Sequence, residues 1–185
     1  MPIPSFDGIL NVLPPHLGNP TELDQHSPYP CTVLELCERF ASSERRRDIL
    51  AGFLRLRREL FSIGLSGFQW LDGSFLEDIE AQGGRDPGDI DVVTFVARPA
   101  QVNDLNELVT TNEWLLDRNR TKTEYRVDHF LVALCTQPRR LVDMSRYWYG
   151  LFSHRRDGVW KGMLCVELDE QHDDASARHH LEGSP

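Results

Sequence analysis

The chain has 185 residues, of which 40% are apolar and 26% are charged, and its formal net charge is −9. A chain of this length is expected to form one ordinary domain that buries its own core without structural metals or disulfides. The acidic balance disfavours a protein that coats nucleic acid or an anionic membrane, and no apolar run approaches the ~20 residues of a membrane-spanning helix. The N-terminal stretch MPIPSFDGIL lacks the basic and apolar parts of a secretory signal, so we expect a cytoplasmic protein.

Residues 1–31 form a proline-rich leader that contains seven of the eleven prolines of the chain. Because proline fixes φ and has no amide hydrogen to donate, the leader is expected to be extended and not helical. It also carries four apolar residues, which are Ile9, Leu10, Val12 and Leu13. A free linker would carry fewer apolar residues, so the leader is predicted to lie on the domain as a strap.

The clearest helical pattern follows Ser42 and Ser43, either of which can cap a helix over residues 44–64. Four apolar residues recur at helical spacing and predict one buried face: Ile49, Phe53, Leu56 and Leu60. Six arginines cover much of the remaining surface: Arg45, Arg46, Arg47, Arg55, Arg57 and Arg58. They predict either a solvated helix face or a basic wall that faces phosphates.

The remaining elements alternate between strands and helices. Short β-branched or aromatic segments predict strands at residues 67–72, 89–96, 125–134 and 162–168. Helices are predicted at residues 101–117 and 141–152. The domain is expected to cover residues 32–168, followed by an acidic, disordered tail at residues 169–185. This order predicts an α/β or α+β fold with a mixed β-sheet flanked by helices.

Two short motifs carry the chemistry. Asp89 and Asp91 lie two residues apart on a predicted strand, so their side chains share one face and repel each other. Such a pair is costly unless a cation lies between them, and its hard oxygen ligands suit Mg²⁺ or Mn²⁺. Upstream, Gly73 permits a close backbone approach, and Ser74 with the amides that follow it can cradle a phosphate. The combination is typical of phosphoryl or nucleotidyl transfer.

The chain resembles the DNA polymerase beta-type nucleotidyltransferase superfamily in the order of these motifs. A strand ends in Gly-Ser, a short helix and loop follow, and the next strand begins with Asp-Ile-Asp-Val. Within the superfamily, the chain is similar to minimal bacterial members that have an LPP leader, here Leu13-Pro14-Pro15, and a late aromatic segment, here residues 147–162. The motif covers residues 67–96, and a weaker likeness runs from about residue 13 to 168. The 75–88 segment between Ser74 and Asp89 is slightly long for this superfamily, and its glycine-rich loop accounts for the extra length.

The resemblance implies a nucleotidyltransferase-like fold and a two-metal mechanism. Asp89 and Asp91 would hold two Mg²⁺ ions, with Mn²⁺ as an alternative, and a third carboxylate on a neighbouring strand would share one of them. Asp128 is the best candidate, because an unpaired acid inside an apolar strand is hard to explain otherwise. Glu124 and Asp143 compete for this role, and a buried ion pair with an arginine is the structural alternative for Asp128.

The resemblance further implies that Gly73 and Ser74 hold the β- and γ-phosphates of an NTP or dNTP. Basic residues would neutralise the leaving pyrophosphate. The sequence does not decide which basic residues do this. The candidates are Lys122 with Arg126, or a second group that consists of Arg155, Arg156 and Lys161. Asp72, just before the Gly-Ser turn, is predicted to be a simple turn residue.

Several functions agree with these motifs. In the first, a nucleoside monophosphate is moved to a hydroxyl acceptor on a partner protein or a growing oligonucleotide, as in toxin–antitoxin or anti-phage defence systems. In the second, the fold is catalytically degenerate and acts as an antitoxin or regulator that binds a cognate toxin or effector. A metal-dependent phosphohydrolase is a third, and a homo-oligomer is left open. The acidic charge does not exclude nucleotide partners, since seven acids and one arginine fall within residues 71–91, around the predicted metal ligands.

Overall fold

The computed structural model describes residues 3–97, 105–169 and 172–183. Within these residues a single mixed sheet has five strands in the order β1-β5-β2-β3-β4. The strands are β1 (Tyr29–Pro30), β2 (Ser66–Asp72), β3 (Ile90–Ala97), β4 (Val127–Ala133) and β5 (Leu164–Leu168). The predicted fold class, a mixed sheet flanked by helices, is confirmed, and each predicted strand is present with its ends shifted by no more than two residues.

Seven α-helices are found in the described residues. They are α1 (Val33–Phe40), α2 (Glu44–Ser62), α3 (Ile79–Gly83), α4 (Leu105–Thr111), α5 (Arg118–Tyr125), α6 (Pro138–Phe152) and α7 (His172–Gly183). The predicted helix at 101–117 is divided into α4 and a 3-10 turn at Glu113–Leu116, and residues 101–104 lie outside the described residues. The sequence did not predict α5, whose only buried side chain is Thr121. None of the described helices is long and apolar enough to cross a membrane.

Strand direction decides which residues meet at the end of the sheet. β2 runs antiparallel to β3, and β3 runs parallel to β4. Asp72 therefore pairs with Asp91, and Asp91 pairs with Asp128 on the other side. Residues paired across strands point to the same face, so the three carboxylates line one end of one face.

The two faces of the sheet are covered differently. α6 packs Trp148 and Phe152 against the face that carries Val93 and Phe95, and this face continues into the three aspartates. The opposite face lies under α1, α2 and α7, which together form the larger hydrophobic core. The carboxylates therefore lie at the edge of the smaller, aromatic-rich core.

The predicted amphipathic helix is confirmed as α2. The Ser43 side chain accepts a hydrogen bond from the Arg46 amide and so caps the first turn. All four residues of the predicted apolar face are buried: Ile49, Phe53, Leu56 and Leu60. Burial of such a face supplies most of the stability of a helix in a folded domain.

The leader lies on the domain through only part of its length. Val12 and Leu13 are buried, and the Leu13 carbonyl accepts a hydrogen bond of 2.7 Å from the Gly162 amide. Ile9 and Leu10, by contrast, are exposed. Of the four apolar residues of the leader, Val12 and Leu13 therefore lie on the domain, whereas Ile9 and Leu10 do not.

The tail contradicts the prediction of disorder. Residues 172–183 form α7, which packs against α1 and α2 and buries Asp174 and Ala177. Arg57 on α2 donates hydrogen bonds of 2.9 to 3.1 Å to the Asp174 carboxylate, and both side chains are almost completely buried. An acid that looks solvated in the sequence is therefore one half of a buried ion pair.

Candidate functional site

Four aspartates gather at one end of the sheet. Asp72, Asp91 and Asp128 are aligned across β2, β3 and β4, and Asp89 precedes Asp91 by two residues. Residues two apart on an extended chain share a face, so Asp89 joins the other three. We call Asp72, Asp89, Asp91 and Asp128 the carboxylate cluster.

Two lysines and an arginine bind three of the four carboxylates. Lys122 Nζ lies 3.1 Å from Asp89 Oδ2 and 2.8 Å from Asp128 Oδ2, and so bridges them. Arg118 adds a bidentate pair to Asp128, with nitrogen–oxygen distances of 2.8 and 2.7 Å. Lys161 Nζ lies 2.9 Å from Asp72 Oδ1, and is buried with it.

Asp91 differs from the other three. Among the described residues it has no ion pair and accepts no side-chain hydrogen bond, although it lies between Asp89, Asp72 and Asp128. Burial and the neighbouring charges of Asp89 and Asp128 raise its pKa to about 6. Lys122 and Lys161 oppose this shift only from a distance, so the Asp91 charge is costly and gains from a bound cation.

The other pKa shifts follow from the ion pairs. Burial raises the pKa of Asp72 to about 7, and Lys161 opposes this shift. Burial alone would also raise the pKa of Asp128, but the hydrogen bonds from Arg118 and Lys122 hold it below its ordinary value. Asp128 is thus firmly ionised, whereas Asp72 and Asp91 hold their charge at an energetic cost.

The backbone at Gly73 turns directly against the carboxylate cluster. Its φ of +90° lies in the region that favours glycine, and a Cβ there would lie 2.6 Å from Asp91 Oδ2. Lys161 Nζ donates a 3.2 Å hydrogen bond to the Gly73 carbonyl, and Ser74 begins a short 3-10 turn. The Gly-Ser turn predicted to approach phosphates is therefore in contact with the central carboxylate.

Replacement of Gly73 by alanine is expected to displace Asp91 and to strain the backbone, at a cost of about 1–3 kcal/mol of unfolding free energy. Gly158→Ala is the matched control, because Gly158 has a similar φ of +88° and a Cβ added there would have no atom within 4 Å. Urea unfolding and divalent-cation binding should be measured on both variants. We expect only Gly73→Ala to weaken cation binding, and equal cation binding by the two variants would contradict the assigned role of the turn.

The long segment between the two motifs is held by arginines of α2. Arg46 donates 2.7 Å hydrogen bonds to the carbonyls of Phe75 and Glu77 and forms an ion pair with Glu80. Arg45 donates to the carbonyls of Pro87 and Gly88, at 3.0 and 2.7 Å. These contacts fix both ends of the 75–88 segment, so its extra length leaves Ser74 and Asp89 at the same end of the sheet.

The sequence interpretations of the basic helix face are wrong for Arg46 and Arg57, whereas Arg55 and Arg58 are exposed, as a solvated face predicts. Arg46 and Arg57 are 3% and 2% exposed, so neither belongs to a solvated face or to a wall open to phosphates. The partners of their side chains are backbone carbonyls, carboxylates and an amide that lie 29 or more residues away from Arg46 and 12 or more from Arg57. No local pattern in the sequence marks such partners.

The structure brings together most of the predicted site residues. Asp89, Asp91, Asp128, Lys122 and Gly73 all lie at the carboxylate cluster. It also brings in three that the sequence left out or left open: Asp72, Lys161 and Arg118. The sequence signal for Asp72 was its position two residues after Trp70, on the same face of the predicted strand, and the structure pairs it with Asp91.

Other candidates lie elsewhere. Arg126 caps α5 and its guanidinium lies 4.0 Å from Asp48, and Arg155 pairs with Asp157 and Gln82. Glu124 pairs with Arg120 on the surface of α5. Asp143 and Arg156 are exposed, on α6 and in the loop after it. The assignment of Arg126 to the nucleotide and the candidacies of Glu124 and Asp143 for the third carboxylate therefore lack structural support.

The sequence profile of DUF6932, a family of unknown function, matches residues 4–167. The chain belongs to this family. Neither the search of curated proteins nor the search of solved structures returned a match. The DUF6932 match includes the strap, α2 and the whole carboxylate cluster, and it ends before α7.

Whether the cluster could hold a metal ion depends on the lysine that bridges it. In the described parts of the chain, no three His, Cys, Asp or Glu side chains are grouped so that they could hold a metal ion as they stand. The donor chemistry nevertheless fits, because the carboxylate oxygens of Asp91 and its neighbours are the ligands that Mg²⁺ and Mn²⁺ prefer. A metal ion that used Asp89 and Asp128 would compete with the Lys122 ammonium for their oxygens.

Proposed function

We propose that the chain is a Mg²⁺-dependent nucleotidyltransferase that moves a nucleoside monophosphate from an NTP or dNTP to a hydroxyl acceptor. The observation that carries the proposal is the Asp91 carboxylate, which has no ion pair among the described residues and lies between three other aspartates and against the Gly73 turn. This placement leaves a negative site for a divalent cation next to backbone that can approach a phosphate closely.

Asp89, Asp91 and Asp128 are the proposed ligands of Mg²⁺ or Mn²⁺. When bound, the metal would lower the pKa of the acceptor hydroxyl and offset the charge of the triphosphate. The pairing of β3 with β4 holds Asp91 and Asp128 in register. At Asp128 the metal would have to displace Lys122 and Arg118, which contact both carboxylate oxygens. Asp72 does not act as a free ligand in this proposal, because Lys161 is paired with it.

In the proposed reaction an oxygen of the acceptor hydroxyl attacks the α-phosphorus, and the bond from that phosphorus to the bridging oxygen breaks. Pyrophosphate leaves with the bond electrons, and the hydroxyl proton passes to a carboxylate or to solvent. Lys122 is exposed enough to turn from Asp89 and Asp128 to the phosphates once the nucleotide arrives. Gly73 and the Ser74 turn would position the β- and γ-phosphates. Lys161 stabilises this turn through its hydrogen bond to the Gly73 carbonyl.

The proposal is tested by incubating the protein with each NTP and dNTP, labelled at the α-phosphate, in Mg²⁺ or Mn²⁺. A cell extract supplies both protein and oligonucleotide acceptors, and pyrophosphate and labelled products are identified by mass spectrometry. We expect label transfer by the wild type, and a loss of about 10²-fold or more in Asp91→Asn. Asp143→Asn, an exposed aspartate on α6, is the matched control and should retain activity.

Several results would overturn the proposal. The absence of both label transfer and pyrophosphate with every nucleotide would exclude nucleotidyl transfer. Orthophosphate as the main product would indicate a phosphohydrolase.

The same experiment identifies the acceptor. Labelled protein or labelled oligonucleotide would decide the acceptor class and so test the association with toxin–antitoxin or anti-phage defence systems.

One observation favours a second candidate, a catalytically degenerate binding module that acts as an antitoxin or regulator. Lys122 and Arg118 already supply three nitrogen contacts within 2.8 Å of the Asp128 carboxylate, so the chain provides its own cations there. A purely structural cluster would look the same at this position. In that case Asp91→Asn would keep both the binding of a cognate toxin or effector and the cellular phenotype.

A further inference from the structure

An open groove of about 710 Å³ lies between α6, β2 and the segment that leads to β5. Its volume falls within the ~300–1,000 Å³ of small-molecule sites. Three large aromatic side chains line it, which are Trp70, Tyr149 and Trp160, together with His154. The lining is mostly apolar, and α6 contributes Leu141 and Val142.

The groove and the carboxylate cluster share a wall. Trp70 and Asp72 lie two residues apart on the same face of β2, one in the groove and the other in the cluster. On the other side, Trp160 lines the groove while the next residue, Lys161, reaches Asp72. The groove therefore adjoins the carboxylate cluster along this face of β2.

The groove exposes an indole, which is costly in a free protein, and a guanidinium that is available to a ligand. Trp160 is 55% exposed, and its ring is in contact with that of His154 at a centroid distance of 3.8 Å. Arg146 lines the same groove and, among the described residues, has no ion pair or hydrogen bond. An exposed aromatic surface beside an unpaired guanidinium is suited to a planar, polar-edged ring, which can stack on the indole and accept hydrogen bonds from the arginine.

We propose that this groove binds the base of the nucleotide whose triphosphate lies at the carboxylate cluster. The inference rests on the proposed function, and it adds the groove residues that would hold the base. Trp160 and Tyr149 offer stacking surfaces, and Arg146 contacts the edge of the base. Stacking on aromatic side chains tolerates every base, so the groove sets affinity more than it selects among bases.

Isothermal titration calorimetry with two probes tests the proposal. One probe is each Mg²⁺–NTP or Mg²⁺–dNTP complex, and the other is Mg²⁺–tripolyphosphate, which has the phosphates and no base. We expect Trp160→Ala to weaken binding of the nucleotide by about 5- to 100-fold and to leave tripolyphosphate binding unchanged. Trp160→Phe keeps a stacking ring and should restore most of the nucleotide affinity.

Phe61→Ala is the matched control, because Phe61 is a partly exposed aromatic residue on α2, on the opposite side of the sheet. It should leave the binding of both probes unchanged. If Trp160→Ala weakens nucleotide and tripolyphosphate equally, or weakens neither, the base lies elsewhere and the inference is overturned. Loss of a homo-oligomer in Trp160→Ala, with nucleotide affinity intact, would also overturn it and would assign the groove to self-association.

Failure of the proposed function has a separate signature. In that case the wild type would bind neither the nucleotide nor tripolyphosphate in Mg²⁺, and the inference would fail with it. If tripolyphosphate binds and the groove variants bind nucleotide like the wild type, the proposed function stands and only the base site is wrong.

Discussion

Asp91→Asn is expected to make the metal-free protein more stable and, at the same time, to remove nucleotide transfer. The Asp91 carboxyl titrates near pH 6 in the folded protein, because it is buried and lies beside Asp89 and Asp128. In the unfolded chain it titrates near pH 3.9. Its charge therefore opposes folding at neutral pH, and an amide of the same shape removes that cost.

The pH dependence has a defined sign. A carboxyl whose pKa is raised on folding supports the folded state below its unfolded pKa, and this support is lost as the pH rises through about 6. At pH 8 Asp91→Asn should be more stable than the wild type by about 1–3 kcal/mol, and at pH 4 the difference should be small. The pKa of Asp72 is raised to about 7, mainly by burial and in part by the Asp91 charge, so Asp91→Asn also relieves Asp72 and the two effects stabilise the variant in the same direction.

Urea unfolding in a metal chelator, at pH 4 and at pH 8, measures this effect. Asp143→Asn controls for the loss of one negative charge from the surface and should change the unfolding free energy little. A destabilised Asp91→Asn variant at pH 8 would contradict the account, because it would mean that the Asp91 carboxylate already has a stabilising partner.

Asp174→Ala is expected to cost about 3–5 kcal/mol of unfolding free energy, because it leaves the buried Arg57 guanidinium without its carboxylate. Arg57 also donates hydrogen bonds to Gln69 and to the Glu167 carbonyl, so the arginine cannot turn out to solvent without breaking these contacts. Chemical denaturation at pH 7 measures the loss.

Asp173→Ala is the matched control for this second prediction. Asp173 also lies in the first turn of α7 but is only half-buried, and its replacement should cost about 1 kcal/mol or less. If Asp174→Ala and Asp173→Ala proved equally mild, α7 would not be docked on the domain. The sequence prediction of a disordered tail would then be correct.

Arg57 also begins a chain of side-chain hydrogen bonds that crosses three strands of the sheet. Gln69 accepts from Arg57 and donates to Thr94, and the Thr94 hydroxyl lies 2.8 Å from His129 Nε2. Burial lowers the pKa of His129 to about 4, so this histidine is neutral at physiological pH. Buried polar groups linked in this way fix the relative positions of β2, β3 and β4, the three strands that carry the aligned carboxylates.

The sequence predicted what depends on local pattern. The alternation of Asp89 and Asp91 on a β-branched strand, and the apolar setting of Asp128, are visible in a few neighbouring residues, and the structure brings all three together. The apolar face of α2 is visible for the same reason. Local spacing is sufficient when the physical constraint is itself local.

The roles of charged residues whose partners lie far away along the chain could not be predicted from the sequence. Asp72 looked like a turn residue because its partner Lys161 lies far away along the chain, just before β5. Asp174 looked solvated because Arg57 is 117 residues away. The arginines of α2 looked like a charged surface, and their roles in holding the 75–88 segment and α7 appear only when these segments are placed beside the helix.

The most direct test of the carboxylate cluster as a metal and nucleotide site is a titration with Mn²⁺, followed by electron paramagnetic resonance, in the presence of an NTP. Wild-type protein, Asp91→Asn and Asp143→Asn should be compared under the same conditions. We expect saturable Mn²⁺ binding by the wild type and Asp143→Asn, and at least about tenfold weaker binding by Asp91→Asn. Equal Mn²⁺ binding by all three proteins, or no binding by the wild type, would contradict this expectation.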